Sequence, residues 1–400
     1  MGSTGSLRQA VASYAARLHG DRDDHHVASP LGAWLLLALA AGSAGPGDPR
    51  RPGLEAALAM TVDDAADQAR RLLGAVHPDV HTAVGAWLAD AARSPAAEGW
   101  LAALPPVTAT GPVPAQARLD EWTRQQSLGL VPAFPLEVSR ATAVLLATVL
   151  ASDIDWEWPF DELAPDRLGG PWGEAGATCL GSAAPHDVGI VRTTEGLVGV
   201  HVARSVDGLA VLSVIAEDPD SAPAAVREVA HDLALLDVAE WDRVSLFDLP
   251  LGDSGAWTVT ERVVAATSPG DQEEARAVLP AWRADTTIDL MAEELLGIAA
   301  AADGVAGLLP PQLRPFEAEA VQVCTAAYTR TGFEAAAVSA LGIRAAAYSP
   351  GRRQRVRRRE ATVRFGRPYA VVALTEGHGD DDPWTRLPVF SGWVTSPAYS

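Results

Sequence analysis

Gly252-Asp253-Ser254-Gly255 matches the Gly-Asp-Ser-Gly stretch around the nucleophile of trypsin-like proteases. A serine there is reactive only with a general base and a third group that orients the base. No Ala-Ala-His-Cys segment precedes it, and Cys179 and Cys324 alone cannot supply the disulfides of such an enzyme. The stretch reads as a surface turn. His77 and His81 are four apart, the spacing that puts two ligands on one helix face, but Pro78 interrupts a regular helix and no third ligand follows with metal spacing. His25-His26 beside Asp23-Asp24 reads as a solvated loop, and both cysteines, set in apolar sequence, read as structural thiols. No Gly-rich phosphate loop or dinucleotide fingerprint is present. The chain is expected to be neither an enzyme nor a holder of metal or cofactor.

The densest charge is the tract Arg352, Arg353, Arg355, Arg357, Arg358 and Arg359, set against a formal net charge of -20. So acidic a body argues against general nucleic-acid binding, which needs clustered basic side chains. The tract reads as a solvated loop tip or as a handle for an anionic partner. The N-terminus lacks the apolar core of a signal peptide, and its match to the loose myristoylation pattern is one that small polar starts make by chance. The longest apolar run, residues 33–41, is too short to cross a bilayer. These features predict a soluble, cytoplasmic protein with no membrane or nucleic-acid partner. With 48% hydrophobic residues, the chain can bury a large core.

Residues 332–345 alternate: Phe333, Ala335, Ala337, Ser339, Leu341, Ile343 and Ala345 form one almost wholly apolar set, while Glu334 and Arg344 belong to the other. Inserted into a sheet, such a segment buries one face; its alanines suit a helix equally well. Before it, Ser29-Pro30 opens a helix over residues 31–41 that is apolar nearly all round, the mark of a helix buried inside a domain. Further helices are read over residues 7–18, 54–60, 65–73, 116–127, 224–235 and 287–296. Residues 80–88 suit strand or helix. Residues 142–150 form a continuous apolar run, consistent with a strand buried on both faces. Strands are read over 189–193, 197–203, 209–215, 244–249, 257–265, 361–365, 369–374 and 387–394, with 318–329 extended. No repeat and no long linker divides the chain, so it reads as one α+β domain over residues 1–400 with large mixed sheets and surrounding helices.

In order and spacing these segments resemble the serpins over essentially the whole chain. Val27-Ala28-Ser29-Pro30-Leu31 resembles the start of that family's buried helix, and Trp122 and Gly129 are similar to its helix over the main sheet. Trp156, Pro159 and Phe160 match a Trp-x-x-Pro-Phe turn after the central strand. Leu279-Pro280-Ala281-Trp282-Arg283 resembles another strand motif, and Phe390-Ser391-Gly392-Trp393 a closing one. Gly332, Phe333, Glu334, Ala335, Ala336 and Ala337 resemble the hinge of the exposed reactive-centre loop, here residues 332–360.

The resemblance implies an inhibitor of a serine or cysteine protease that acts as a suicide substrate and works as a monomer. The loop is cut, and its N-terminal part inserts as a strand into the main sheet. Counting from the hinge puts the scissile bond at Ala346–Ala347, which suits an elastase- or subtilisin-like protease; a trypsin-like one would cut at Arg352 or beyond. In the sheet-opening region, with Trp156 above it, Gly32, Thr148 and Gln322 stand where many serpins have Ser, Asn and His. A Thr148–Gln322 hydrogen bond would substitute in part. Phe333 departs from the small residue usual after the hinge glycine, and its bulk is expected to hinder insertion. The other reading is a non-inhibitory binding protein that uses the arginine tract. By analogy with the family, an extracellular place is also compatible.

Overall fold

The structure, a computed structural model, describes residues 3–182, 186–313, 316–333, 354–377, 379 and 381–398, with side chains from Leu7 onward. Helix α1 (Ser3–His19) leads through strand β1 (His26–Ala28) to helix α2 (Pro30–Ala41). The Ser29 side chain caps α2 by accepting from Gly32 N, and Pro30 fits the first turn, where no N–H is needed. Every residue of α2 except Leu36 is buried. Truncating a side chain such as Leu35 to alanine there would cost about 2–5 kcal/mol.

Helices α3 (Arg51–Leu58) and α4 (Val62–Leu73) precede strand β2 (His81–Leu88), helix α5 (Pro95–Ala103), strand β3 (Ala109–Gly111) and helix α6 (Gln116–Gln126). Strands β4 (Val144–Ala151), β5 (Ile154–Asp155) and β6 (Asp161–Leu163), helix α7 (Gly170–Glu174) and strand β7 (Cys179–Gly181) follow. The meander β8 (Asp187–Thr193), β9 (Gly196–Arg204) and β10 (Leu209–Ala216) runs into helix α8 (Pro223–Leu235). Next come β11 (Gly252–Asp253), β12 (Trp257–Ala266), β13 (Gln272–Pro280), β14 (Trp282–Asp289) and helix α9 (Ile298–Gly307). The chain ends with β15 (Val321–Tyr328), β16 (Gly332–Phe333), β17 (Gln354–Arg364), β18 (Tyr369–Thr375) and β19 (Pro388–Val394).

The described strands form four ladders, ordered β1-β19-β18-β10-β9-β8, β11-β12-β17-β13-β7-β6, β14-β15-β16-β5 and β3-β2-β4. In the first, Val211 and Ile215 face the main core around α2, whereas Leu212 and Val214 face Val226, Val229 and Leu233 of α8. With apolar layers on both sides, β10, β18 and β19 are buried at every position, which explains their largely apolar sequences.

Four sequence readings need correction. His25-His26 is not wholly a solvated loop, since His26 is 1% exposed, lies in β1 and is hydrogen-bonded to His19. Residues 287–296 are not a helix. Trp282, Ala284, Thr286 and Ile288 are buried while the residues between them are exposed, so the period of two continues as strand to Asp289. Only a short turn, Glu294–Leu296, precedes α9. Residues 244–249 are not a strand: Ser245 accepts from Phe247 N at 3.2 Å and caps the turn Leu246–Asp248. The arginine tract is not a loop tip, because Arg355, Arg357, Arg358 and Arg359 lie in β17, clamped between β12 and β13. Arg352 and Arg353 lie outside the described residues. Residues 80–88, left open between strand and helix, are strand β2, paired antiparallel with β4.

Candidate functional site

The main sheet is split. Strands β4 and β15 run parallel to one another, yet they belong to different ladders, and an open slot lies between them. Leu146 to Ser152 line one wall and Val321 to Ala326 the other. Helix α2 forms the floor through Ser29, Gly32, Ala33 and Leu36, and the end of α6 with the segment after it covers the slot from Thr123 to Leu136. The cavity volume is about 130 Å³. Cys324 faces this space, and burial pushes its thiol pKa up to about 12, so it is an inert apolar side chain.

The mouth of the slot is occupied by β16. After Tyr328 the chain turns back at once: Thr329 N donates to Gly332 O at 2.9 Å, and Gly332 N donates to Thr329 Oγ1 at 3.1 Å. Phe333 then sits opposite Tyr328 on one side and Ile154 on the other. A Cβ on Gly332 would run into the Ile154 carbonyl oxygen, so only glycine allows this approach. The turn after β5 holds the hinge from the far side. Trp156 N donates to Thr331 O at 2.8 Å, Phe160 N to Arg330 O at 2.9 Å and Trp156 Nε1 to Thr329 O at 3.0 Å.

Phe333 is 4% exposed, with its ring 6.2 Å from Trp282 and 6.4 Å from Phe390. At the position it occupies, its ring is accommodated within this aromatic surround. Trp156 is buried against Tyr328 and Phe160, at 5.0 and 6.1 Å between ring centroids.

Lower in the slot, the expected Thr148–Gln322 hydrogen bond is replaced by two separate latches onto α2. Thr148 Oγ1 donates to Gly32 O at 3.0 Å, from the β4 wall. From the β15 wall, Gln322 Nε2 donates to Ser29 O at 2.9 Å and Gln322 Oε1 accepts from Ser29 N at 3.0 Å. The slot between the walls keeps the two side chains apart. Gly32 lets them close on the helix: a Cβ there would stand 3.0 Å from Ser29 Oγ and 3.3 Å from Leu150 Cδ1.

The hinge residues Glu334, Ala335, Ala336 and Ala337 and the scissile pair Ala346 and Ala347 lie outside the described residues. The arginines that are described are largely matched by acids. Arg357 pairs with Asp271 at 2.5 Å, Arg358 with Glu274 at 3.3 Å and Arg359 with Glu261 at 2.9 Å. Arg359 also donates to Leu246 O and Leu249 O. The free positive handle expected from sequence is neutralised along that run.

Sequence reasoning missed two histidines beside the mouth, fifteen residues apart in the chain. His186 Nδ1 lies 2.9 Å from His201 Nε2, and His186 Nε2 lies 2.8 Å from Trp158 O. The rings stack, and both pack against Phe160. Burial is the main cause that lowers both pKa values. Nothing local in the sequence marks the pair, since strand pairing of β8 with β9 brings them together.

No protein-family model matches the chain, and no curated protein matches it. Solved structures do. A highly specific serpin of the insect Tenebrio molitor matches with TM-score 0.63 at 12% identity, over 98% of each chain. The thermophilic serpin tengpin in its latent state gives 0.63 at 14% identity, over 99% of each. Human thyroxine-binding globulin in complex with thyroxine gives 0.64 at 12% identity, over 99% of this chain and 100% of the other. At these identities the likeness is one of fold, and the fold is that of the serpins.

Proposed function

We propose that the protein is a protease inhibitor whose cleaved loop completes the split sheet. The observation that carries this reading is β16. It already forms the first two residues of a strand in the slot, antiparallel to both walls. Its register with β15, carried forward, sets Ala335 opposite Ala326, Ala337 opposite Cys324 and Ser339 opposite Gln322. Carried along β4 from the Ile154 pairing, the same register sets Ser339 opposite Thr148. The apolar set would then face α2, and Ser339 would bring a hydroxyl between the two polar latches. Each backbone hydrogen bond so gained contributes about 0.5–1.5 kcal/mol net, in addition to the apolar area buried.

Geometry also accounts for the need for cleavage. A strand rises about 3.3 Å per residue, so thirteen residues from Glu334 to Ala346 extend about 43 Å. An intact chain held at Gln354 in the clamped strand β17 resists such travel, whereas a cut at Ala346–Ala347 frees it. An elastase- or subtilisin-like target fits that bond. A trypsin-like target fits less well, since Arg355 to Arg359 sit in a ladder.

Non-inhibitory binding through the arginine tract is the weaker reading, since Arg357, Arg358 and Arg359 are paired with acids. The test is thermal unfolding before and after nicking the loop near Ala346, followed by a protease panel scored for denaturant-resistant complexes. A large rise in midpoint with such complexes supports the reading. An unchanged midpoint overturns it.

A further inference from the structure

We propose that the His186–His201 pair is a proton-operated latch on the mouth of the slot, which acidification releases. It concerns the same slot as the inhibitory reading but is measured without a protease, so either can fail alone.

The hydrogen bonds fix the tautomers. Trp158 O only accepts, so His186 Nε2 carries a proton. Neutral His186 then presents a bare Nδ1, which must accept from His201 Nε2–H. That leaves His201 Nδ1 bare, fully buried and without a partner among the described residues. In this state the chain Trp158–His186–His201 ties the 156–160 turn to β9.

Neither site in the pair can take a second proton without breaking this arrangement. A proton on His186 Nδ1 sets two N–H groups against each other at 2.9 Å. A proton on His201 Nδ1 makes a buried cation whose new N–H has no acceptor. Of the surrounding charges, Asp187 favours a protonated His186, less than Arg204 opposes it. On β9, Arg204 repels a protonated ring, and its own guanidinium is held by Asp187 at 2.5 Å and Glu376 at 2.8 Å. Asp187 on β8 is shared again with Arg243 at 4.0 Å. Glu157, on the turn, lines the small open cleft beside Trp158 and His186. Asp79, further off, is hydrogen-bonded to Ser205 at the end of β9. From β15 the pair is faced only through Phe160, by the uncharged Tyr328 ring.

Protonated His186 keeps its bond only if His201 shifts to the Nδ1–H tautomer, which buries that N–H without an acceptor; turning toward the cleft, where Glu157 supplies negative charge, avoids this. His201 then loses its acceptor, and Trp158 O loses its donor. The turn that donates Trp156 N and Phe160 N to the hinge then keeps only its backbone tie to the end of β9, Glu157 N to Arg204 O at 2.8 Å. The mouth loosens while the sheets below remain paired.

The test is amide hydrogen exchange on the full chain at pH 7.5 and pH 5, corrected for the intrinsic rate. Wild type should lose about tenfold or more of its protection at Trp156, Phe160 and residues 332–333, with β10 unchanged; His186→Gln should remove that pH dependence. Equal protection at both pH values, a loss shared by β10, or the same loss in H186Q overturns the proposal. If H186Q does not fold, wild type still decides: the loss must track the His186 ring-proton titration by NMR, and a midpoint differing by a unit or more overturns it.

Discussion

The side-chain amide of Gln322 grips both backbone groups of Ser29, accepting from its N–H at 3.0 Å and donating to its C=O at 2.9 Å. The residue that caps the central helix is thus tied directly to one wall of the slot. Replacing Gln322 by leucine leaves the Ser29 N–H unpaired in a buried place, at about 1–3 kcal/mol, while the Ser29 C=O keeps its bond from Ala33 N at 3.1 Å. Q322L is expected to lower unfolding stability in urea by about 1–3 kcal/mol. A change under 0.5 kcal/mol would show that water replaces the amide.

The register proposed for insertion is tested by two neighbouring alanines. Ala337 would lie opposite Cys324, on the face toward α2, so A337R would bury a charge without a partner. Ala336 would lie opposite Thr325, whose other neighbour is Asp285 on the outer face. A336R would find that carboxylate. Nicking should therefore raise the thermal midpoint of A336R much as in wild type and leave A337R unchanged. The opposite pattern would place the strand one residue out of register.

The alternation of Phe333 to Ala345 and the apolar helix around Leu35 were legible because both are periodic patterns within one segment. The split between β4 and β15 was not, since nothing in the residues of either wall states which neighbour it lacks. Thr148 and Gln322 were recognised as polar residues of the sheet opening, but their true partners, Gly32 O and Ser29, are backbone groups of a distant helix. Six arginines in eight positions imitate a solvated loop. The four from Arg355 to Arg359 lie in a strand, where Asp271, Glu274 and Glu261, far away in sequence, flank Arg357, Arg358 and Arg359.

A second histidine cluster sets the acid limit of the fold. His26 Nδ1 donates to Asp24 O, His19 Nδ1 donates to His26 Nε2, and Ser391 Oγ donates to His19 Nε2. His231 packs beside them, with neither ring nitrogen partnered. Burial and then Arg227 lower its pKa from 6.5 to about 4. A base with a depressed folded-state pKa contributes stability above its unfolded pKa and loses it as the pH falls toward the folded value. His231 alone should cost about 3 kcal/mol between pH 6.5 and pH 4. His231→Phe, which removes two unpaired polar atoms, should unfold in urea with a flatter acid limb. An acid limb identical to wild type would remove His231 from the account.

Arg359 should matter more than its neighbour Arg357, although both stand over the Phe247 ring and pair with an acid. The Arg357 side chain is 54% exposed and has one carboxylate partner, so solvent screens the pair. Arg359 is 14% exposed and donates to Glu261, Leu246 O and Leu249 O, which ties β17 to the turn between α8 and β11. Removing it leaves the Leu249 carbonyl and a half-buried carboxylate without this donor, and Leu246 O with only the 3.4 Å bond from Leu249 N. R359A is expected to cost about 2–3 kcal/mol in urea unfolding, as hydrogen bonds to charged groups do. R357A should be near neutral. Equal losses from the two would mean that the strand is held by its ladders alone, and that the carbonyls of Leu246 and Leu249 find water when the guanidinium leaves.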